Sequence, residues 1–453
     1  MRTKAAQLSV KEGCAGGDCG ACSILMGSAD AQGNVKYMAI NACIALLGAL
    51  DGKHVLTVEG LKDGDQLHPV QQAMVDYHGS QCGFCTPGIV TSLAALYHNQ
   101  AGDPPSEEAI HEALSGNLCR CTGYRPIIEA AKAMNNYPAP SASSPVNKPA
   151  VEYFEPVAPS QGEKAVIEQD GRTLFIPQNE KQLATILAQH PDAVIWAGGT
   201  DLGLEISQQF KQFKVLVSLH KITTLTEVSE NDSEVRFGAM VSYSNAQSVL
   251  EQEFPSFAHL LERIGSRQIR NLGTLGGNVA NGSPIGDTPP VFFALDARVE
   301  IASSLGVREI AIEDFFKGYK QTDLKAGEYL KSIVVPKLES QQSLYVFKVS
   351  KRKEDDISAV LMAVRIELDG KTIKEARVAC GGMAATPLRA LKTEAMLNGQ
   401  SCELSTFEKA SLKIPRDYSP IKDVRASKEY RLNVASNLII KTGLSVCKQA
   451  GVK

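Results

Sequence analysis

The chain has 453 residues, 43% hydrophobic and 21% charged, enough for about three packed domains of roughly 100–200 residues each. Its 47 basic and 50 acidic residues leave a net charge of −3 without a long basic run, so charge gives no reason to expect nucleic acid or an anionic membrane as partner. No apolar stretch approaches the roughly 18 residues of a membrane span, and the opening MRTKAAQLSVKEG has no apolar signal core, so a cytoplasmic setting is expected.

Eight of the eleven cysteines lie before residue 122. Cys14, Cys19 and Cys22 are spaced C-x4-C-x2-C and Cys43 follows at a distance, which is the plant-type ferredoxin pattern for four thiolates on a 2Fe-2S cluster. Gly13, Gly16, Gly17 and Gly20 let backbone N–H groups approach such an anion closely. Val35 to Ile40 alternates as a strand that delivers Cys43. Unpaired thiols of this kind suit a reducing compartment. Only thirteen residues precede Cys14, whereas a ferredoxin-like β-grasp has a hairpin and a helix ahead of its cysteine loop. The expectation is a truncated half-core with a first cluster that is labile or absent.

From His68 the pattern turns helical, through Val70, Met74 and Val75, then Ile89, Val90, Leu93, Leu96 and Tyr97. Ser106 opens a further helix with acidic residues in its first turn, and residues 127–134 form a fourth. Cys82 and Cys85 (C-x2-C) with Cys119 and Cys121 (C-x-C) sit in turns between these helices, as the second metal quartet; on spacing alone zinc competes with iron–sulfur. The segments Ser80-Gln-Cys-Gly-Phe-Cys-Thr-Pro-Gly88 and Gly116-Asn-Leu-Cys-Arg-Cys-Thr-Gly-Tyr-Arg-Pro126 closely resemble the iron–sulfur module of molybdenum hydroxylases. Later matches point, within that family, to the xanthine dehydrogenase small subunit. The resemblance runs from about residue 11 almost to the C-terminus, and it favours two 2Fe-2S clusters over zinc.

Residues 136–164 hold six prolines among small and polar residues and read as a linker. Beyond it, a strand through Ile195 and Trp196 runs into Ala197, Gly198, Gly199, Thr200 and Asp201, then an amphipathic helix from Leu202 to Phe210. A second glycine-rich segment carries Thr274, Leu275, Gly276, Gly277 and Asn278. Two such turns can cradle a diphosphate. They form neither the G-x-G-x-x-G of a Rossmann unit nor a Walker loop. Both segments resemble the FAD-binding domain of the same family, and the resemblance adds Asp287, Leu330 and Lys348 as flavin contacts. It also marks a departure, since Ile264 stands where well-known members place an aromatic residue against the isoalloxazine.

From about residue 341, strands such as 358–368 alternate with helices such as 389–397, resembling the C-terminal domain of the family's flavin half, with lone charges expected on a solvated face. Cys380, Cys402 and Cys447 stand alone and are given no role; the eight histidines are scattered singly. The expected fold is multidomain α+β: a truncated β-grasp ferredoxin-like domain (1–63), a helical-bundle 2Fe-2S domain (64–135), the linker, an α+β FAD-binding domain (165–340) and an α+β C-terminal domain (341–453). No catalytic residue set emerges. The resemblance implies an electron-transfer subunit of a xanthine dehydrogenase-type oxidoreductase. Electrons would come from a molybdopterin cofactor on a large partner subunit, with Gln81 and the second cysteine loop near the pterin, and pass through both clusters and FAD to NAD. The assembly would be a dimer of heterodimers hydroxylating hypoxanthine and xanthine. The alternatives are the equivalent subunit of an aldehyde, CO or heteroaromatic hydroxylase, or a truncated, non-catalytic iron–sulfur protein.

Overall fold

The structure is a computed structural model that describes residues 2–29, 33–100, 102–148 and 165–451; residues 149–164 of the expected linker lie outside them. The chain divides into two compact units. The first holds residues 1–165 with 198–214 and 265–273, and the second holds 166–197, 215–264 and 274–453. Secondary structure is mixed α and β in both. Among the described residues no helix is long and apolar enough to cross a membrane.

In the first unit, β1 (Ser23–Ala29) lies antiparallel between β2 (Val35–Asn41) and β3 (His54–Leu56). Helices α1 (Pro69–Asp76), α2 (Thr86–Asn99), α3 (Glu107–Leu114) and α4 (Arg125–Ala133) follow. Their starts are written locally. Pro69 takes the first turn of α1 while His68 and Gln71 form a capping box, and Ser106 Oγ accepts the Ala109 N–H ahead of Glu107 and Glu108 on α3. One continuous core joins sheet and helices, with Leu25, Tyr37 and Ala39 packed against Met74, Leu93, Ile110 and Ile127. Val75, expected on the apolar face, is exposed. The expected helix from Leu202 ends at Ser207 rather than Phe210, because Phe210 takes a φ of 54° that no helix continues.

Two histidines are not single. His68 Nε2 and His98 Nε2 lie 3.0 Å apart. His68 Nδ1 accepts the Val70 N–H, so His68 must carry its proton on Nε2 and donate it to His98. Burial pushes the His68 pKa down to about 3 and that of His98 to about 4.

In the second unit, β4 (Ala165–Gln169), β5 (Arg172–Ile176), β6 (Val194–Trp196) and β7 (Val215–Ser218) form a sheet in the order β4-β5-β7-β6, with β7 parallel to both neighbours. Helix α5 (Glu180–Gln189) makes the crossover from β5, and its Leu183, Ile186 and Leu187 pack with Phe175 and Val217. The next sheet is antiparallel in the order β11-β10-β12-β9-β8, from β8 (Val228–Glu230), β9 (Glu234–Gly238), β10 (Arg298–Ser303), β11 (Gly306–Ala311) and β12 (Tyr329–Pro336). Its inner face packs Val235, Phe237, Val299 and Ile333 against α6 (Tyr243–Glu253), α7 (Pro255–Leu261), α8 (Leu275–Ala280) and α9 (Thr288–Ala294). The last sheet is an antiparallel meander of β13 (Gln342–Val349), β14 (Val360–Asp369), β15 (Thr372–Gly381) and β16 (Leu388–Arg389). It carries α10 (Leu391–Leu397), α11 (Leu404–Ser411) and α12 (Lys428–Gln449). Arg389, expected to open a helix, ends β16 instead.

The charges here are not all a solvated face. Arg365 and Arg377 stand directly opposite each other on β14 and β15, a like-charge pairing that costs stability unless acids divide it. Asp296 bridges both guanidinium groups, and Glu375 and Glu313 bind Arg365 and Arg377 at 2.5 and 2.6 Å. Arg431, almost fully buried, pairs with Asp423 at 2.7 Å. Nor do all three remaining cysteines stand alone: Cys380 is buried beside Tyr418, but the thiols of Cys402 and Cys447 are 4.0 Å apart.

Candidate functional site

The first cysteine quartet is built on the loop before β1 and the turn after β2. Residues 22 and 43 flank paired strands whose register matches Ser23 to Asn41, which is what carries Cys43 back to the loop. The thiols meet two by two, Cys14 with Cys19 and Cys22 with Cys43. Backbone N–H groups of Gly16 and Cys19 donate to Cys14 Sγ at 3.3 and 3.4 Å, and that of Gly17 donates to Cys43. The hydrogen bond from Cys43 holds the Cys22 thiol below its ordinary pKa and pushes Cys43 up. Asn41 Nδ2 ties the loop down through the Gly17 carbonyl. Val10, from the short segment ahead of Cys14, is buried with Cys22, Ile24 and Ile40.

The second quartet lies between helix ends, with Cys85 at the N-cap of α2 and Cys119 and Cys121 in the turn before α4. Cys82 meets Cys121, and Cys85 meets Cys119. The Phe84 N–H, then the Cys121 thiol, lower the Cys82 pKa. The Thr122 hydroxyl is 3.2 Å from Cys119 Sγ, and Tyr124 OH accepts the Cys119 N–H at 2.9 Å. Cys82 and Cys121 are exposed. Around them stand exposed Phe84, Leu118 and Tyr124.

The two quartets touch through backbone. Leu118 N–H donates to the Cys19 carbonyl at 3.0 Å, and Asn117 Nδ2 donates to the Gly20 carbonyl at 3.2 Å. Gly20, at φ 67°, could carry no side chain here, since a Cβ would lie 2.1 Å from the Gly116 oxygen. Gln268 locks the seam by donating to Ser92 Oγ and Asn117 Oδ1. Among the described residues no group of three or more His, Cys, Asp or Glu side chains is arranged to hold a single metal ion. Thiols paired two by two, with N–H groups aimed at sulfur, are instead the donor set that fits a four-thiolate 2Fe-2S cluster.

The flavin segments divide by unit. In the second, Ile195 and Trp196 end β6; the Trp196 indole N–H is buried without a hydrogen-bond partner among the described residues, a donor left for a ligand. Ala197 follows. In the first unit, a Cβ on Gly198 would lie 2.0 Å from the Leu272 oxygen, and Gly199 has φ 76°, so both glycines are required by the backbone itself. Gly199 and Asp201 carbonyls accept the Gly203 and Leu204 N–H groups, which starts the short helix at Leu202 behind half-buried Thr200.

Thr274 caps α8 by accepting the Gly277 N–H at 3.0 Å, and Leu275 is buried. Gly276 leaves room for Ala239, whose backbone oxygen a Cβ would approach to 2.5 Å. Asn278 Oδ1 accepts from Thr288 at 2.6 Å. Leu330 is buried on β12. Ile264 packs against the core of this unit just beyond α7. Asp287 and Lys348 come together as a buried ion pair at 2.7 Å.

What holds that pair leaves no local mark in the sequence. Ser358 Oγ donates to Asp287 at 2.6 Å. Lys348 Nζ donates to the Arg263 carbonyl at 2.8 Å, while Arg263 Nη1 donates to the Lys348 carbonyl at 2.9 Å. These partners are 71 and 85 residues away in the chain, out of reach of any local pattern. Within the second unit, the bonded Asp287–Lys348 pair, the unpartnered indole N–H and the turn at Gly276 and Gly277 fit a ligand rich in acceptor atoms, as a flavin dinucleotide is.

Comparison with known proteins decides the family. Residues 57–132 match the [2Fe-2S] binding domain, 169–338 the FAD binding domain in molybdopterin dehydrogenase, and 345–446 the CO dehydrogenase flavoprotein C-terminal domain. The chain is 32% identical to xanthine dehydrogenase of Drosophila subobscura over 91% of its own length, and 33% identical to xanthine dehydrogenase/oxidase of Rattus norvegicus over 87%. The chain belongs to the molybdenum hydroxylase family, as an iron–sulfur and FAD subunit. It spans about a third of the length of those two relatives, 34% and 33%. Among solved structures, carbon monoxide dehydrogenase from Hydrogenophaga pseudoflava matches with a TM-score of 0.57 at 26% identity, covering 61% of this chain and 96% of that one. Quinoline 2-oxidoreductase from Pseudomonas putida 86 matches at 0.57 and 27%, covering 63% and 99%. In this molybdenum hydroxylase chain the cysteine quartets and glycine turns therefore lie in cofactor domains that the family models recognise by type, apart from the first quartet, which precedes residue 57.

Proposed function

We propose that this chain is the electron-transfer subunit of a xanthine dehydrogenase-type enzyme, located in the cytoplasm and bound to a large subunit that carries the molybdopterin cofactor. When bound, two 2Fe-2S clusters and FAD supply the electron carriers, taking electrons from purine hydroxylation (hypoxanthine to xanthine to urate) in the order second cluster, first cluster, flavin, and giving them to NAD. The protein's part is to position them. Cys82, Cys85, Cys119 and Cys121 hold the entry centre at an exposed edge, with Gln81 toward the pterin. Cys14, Cys19, Cys22 and Cys43 hold the next centre behind it. By the family resemblance, residues 195–202, residues 274–278, Asp287, Lys348 and Leu330 would contact the dinucleotide, and with Ile264 in place of an aromatic residue the flavin ring would be held differently or nicotinamide access would differ. The assembly is read as a dimer of heterodimers.

The observation that carries this reading is the seam between the quartets: the Cys19 carbonyl and the Leu118 N–H, one residue from Cys119, share a 3.0 Å hydrogen bond. Xanthine dehydrogenases as the relatives support the purine reaction. A second reading, the same subunit in an enzyme acting on CO or an N-heteroaromatic, draws on the carbon monoxide dehydrogenase and quinoline 2-oxidoreductase structures. The complex purified by a tag on this chain separates them. Xanthine-dependent reduction of NAD by that complex is expected; turnover of CO or quinoline with none of xanthine would establish the second reading, and a preparation without iron, sulfide or flavin would end both.

A further inference from the structure

Cys402 and Cys447 lie outside every cofactor segment and come from elements 45 residues apart, yet their Sγ atoms are 4.0 Å from each other and Cys447 Sγ is 3.5 Å from the Cys402 carbonyl. Both side chains are buried among Phe407, Ala410, Leu438 and Val446. Their mountings differ. Cys402 follows a segment laced to β15: its own N–H donates to the Lys371 carbonyl at 2.8 Å, Ile373 N–H donates to Gln400, and Gly399 N–H donates to Ile373. Cys447 sits in the last turn of α12, where hydrogen bonds of Gln449 to Tyr345 and Ser343 are the side-chain fastenings nearby. One sulfur is fixed by backbone on two sides, and the other rides on a helix end, the part of a helix that frays most readily. Closing from 4.0 Å to a bonded distance of about 2.05 Å requires the two segments to approach, and the helix end is the less tethered of the two.

We infer that Cys402 and Cys447 form a redox-responsive dithiol, which a low-molecular-weight disulfide converts into an intramolecular disulfide that fastens the end of α12 to the loop between α10 and α11. One protein thiolate attacks a sulfur of the small disulfide, forming a mixed disulfide and expelling one thiolate. The second protein thiol, deprotonated in turn, attacks the protein sulfur of that mixed disulfide and expels the other thiolate. Two electrons pass from the protein to the small disulfide, and the two S–H protons end on the two released thiols. Burial, with the Cys447 thiol beside it, pushes the Cys402 thiol up to about 12, so exchange is slow near neutrality and accelerates as pH rises. The product ties together a 45-residue separation in the unfolded chain, which stabilises the region without touching a cofactor ligand.

The test uses the full chain in its purified complex, incubated at pH 8.5 with oxidised or reduced glutathione, alkylated, digested without reductant and mapped by mass spectrometry. A peptide pair linking Cys402 to Cys447, absent after dithiothreitol, is expected, with a rise of at least ~3 °C in the unfolding midpoint. Cys402→Ser and Cys447→Ser should each abolish the rise and leave iron, sulfide and flavin content unchanged. Both cysteines fully alkylated after oxidation, or each found only as a separate glutathione adduct, would overturn the inference. Because that mapping is done on the wild-type chain, it decides the matter even if neither variant folds.

Discussion

The two cysteine quartets of the first unit differ in how they meet solvent. Cys22 is buried and its three companions half-buried, on a loop held by Asn41 and by N–H groups aimed at sulfur, whereas Cys82 and Cys121 of the second quartet are exposed between helix ends. A buried polar centre with fixed N–H donors is shielded and pre-ordered. An exposed one rimmed by Phe84, Leu118 and Tyr124 offers an edge to something outside the chain. The same unit thus has an inner and an outer centre, and the backbone contact at Gly20 and Leu118 decides how closely they are coupled.

The largest expected effect comes from breaking that contact. Gly20→Val puts a β-branched residue at φ 67° with its Cβ 2.1 Å from the Gly116 oxygen, so the loops must part. Overpacking of this kind costs about 1–3 kcal/mol, with further strain from the backbone. Iron and acid-labile sulfide should fall at both centres; a variant that keeps a full complement would show that the seam is not needed for either. Single-ligand changes then separate the two. Cys22→Ser should remove the inner centre, halving iron and lowering the unfolding midpoint, because the lost side chain is also part of the core with Ile24 and Ile40. Cys121→Ser should halve iron too but leave the midpoint nearly unchanged, since Cys121 is exposed. Equal midpoints for the two variants would contradict the inner and outer distinction. The iron count of the wild-type chain sets the reference for both variants, about four with both centres assembled and about two with one.

The cysteine quartets were legible because their members cluster at fixed local spacings, and the four helices between residues 68 and 134 because capping and apolar periodicity are local too. What escaped is non-local. Nothing near Cys402 announces Cys447, nothing near His68 announces His98, and the partners of Asp287 and Lys348 arrive from other elements. The charges of the C-terminal sheet looked solvated for the same reason: only the register that sets Arg365 against Arg377 shows why Asp296 has to stand between them. Phe210 looked helical by spacing, and its positive φ is a decision of the backbone that apolar periodicity does not record.

Acid should weaken the helices around the outer centre. His68 and His98 are held neutral in the native state with pKa values of about 3 and about 4. In the unfolded chain each takes up a proton near pH 6.5. Between pH 6.5 and 4 the unfolded state therefore binds more protons, so this contribution is complete above 6.5 and is lost as pH falls, at about 1.4 kcal/mol per pH unit for each histidine. Urea midpoints measured from pH 7 to 5 should drop steeply, and His98→Gln, whose side chain can still accept from His68, should reduce the slope by roughly half. An unchanged slope would place the acid sensitivity elsewhere.

The smallest change to the fold should come from Leu118→Glu, and it is the sharpest probe of the outer edge. Leu118 donates its N–H to the Cys19 carbonyl while its side chain is 56% exposed. A glutamate keeps the backbone bond between the two loops and alters only the apolar rim, so iron content should be normal and stability should shift by no more than about 0.5 kcal/mol. If the rim docks against the large subunit, placing a charge at its centre leaves that charge desolvated and unpaired in the interface, which is expensive. Copurification of the large chain should then fall at least tenfold, while the separately purified subunit keeps both centres. Undiminished association would mean that Cys82 and Cys121 are exposed in the assembly as well, and that electrons enter this chain by another face.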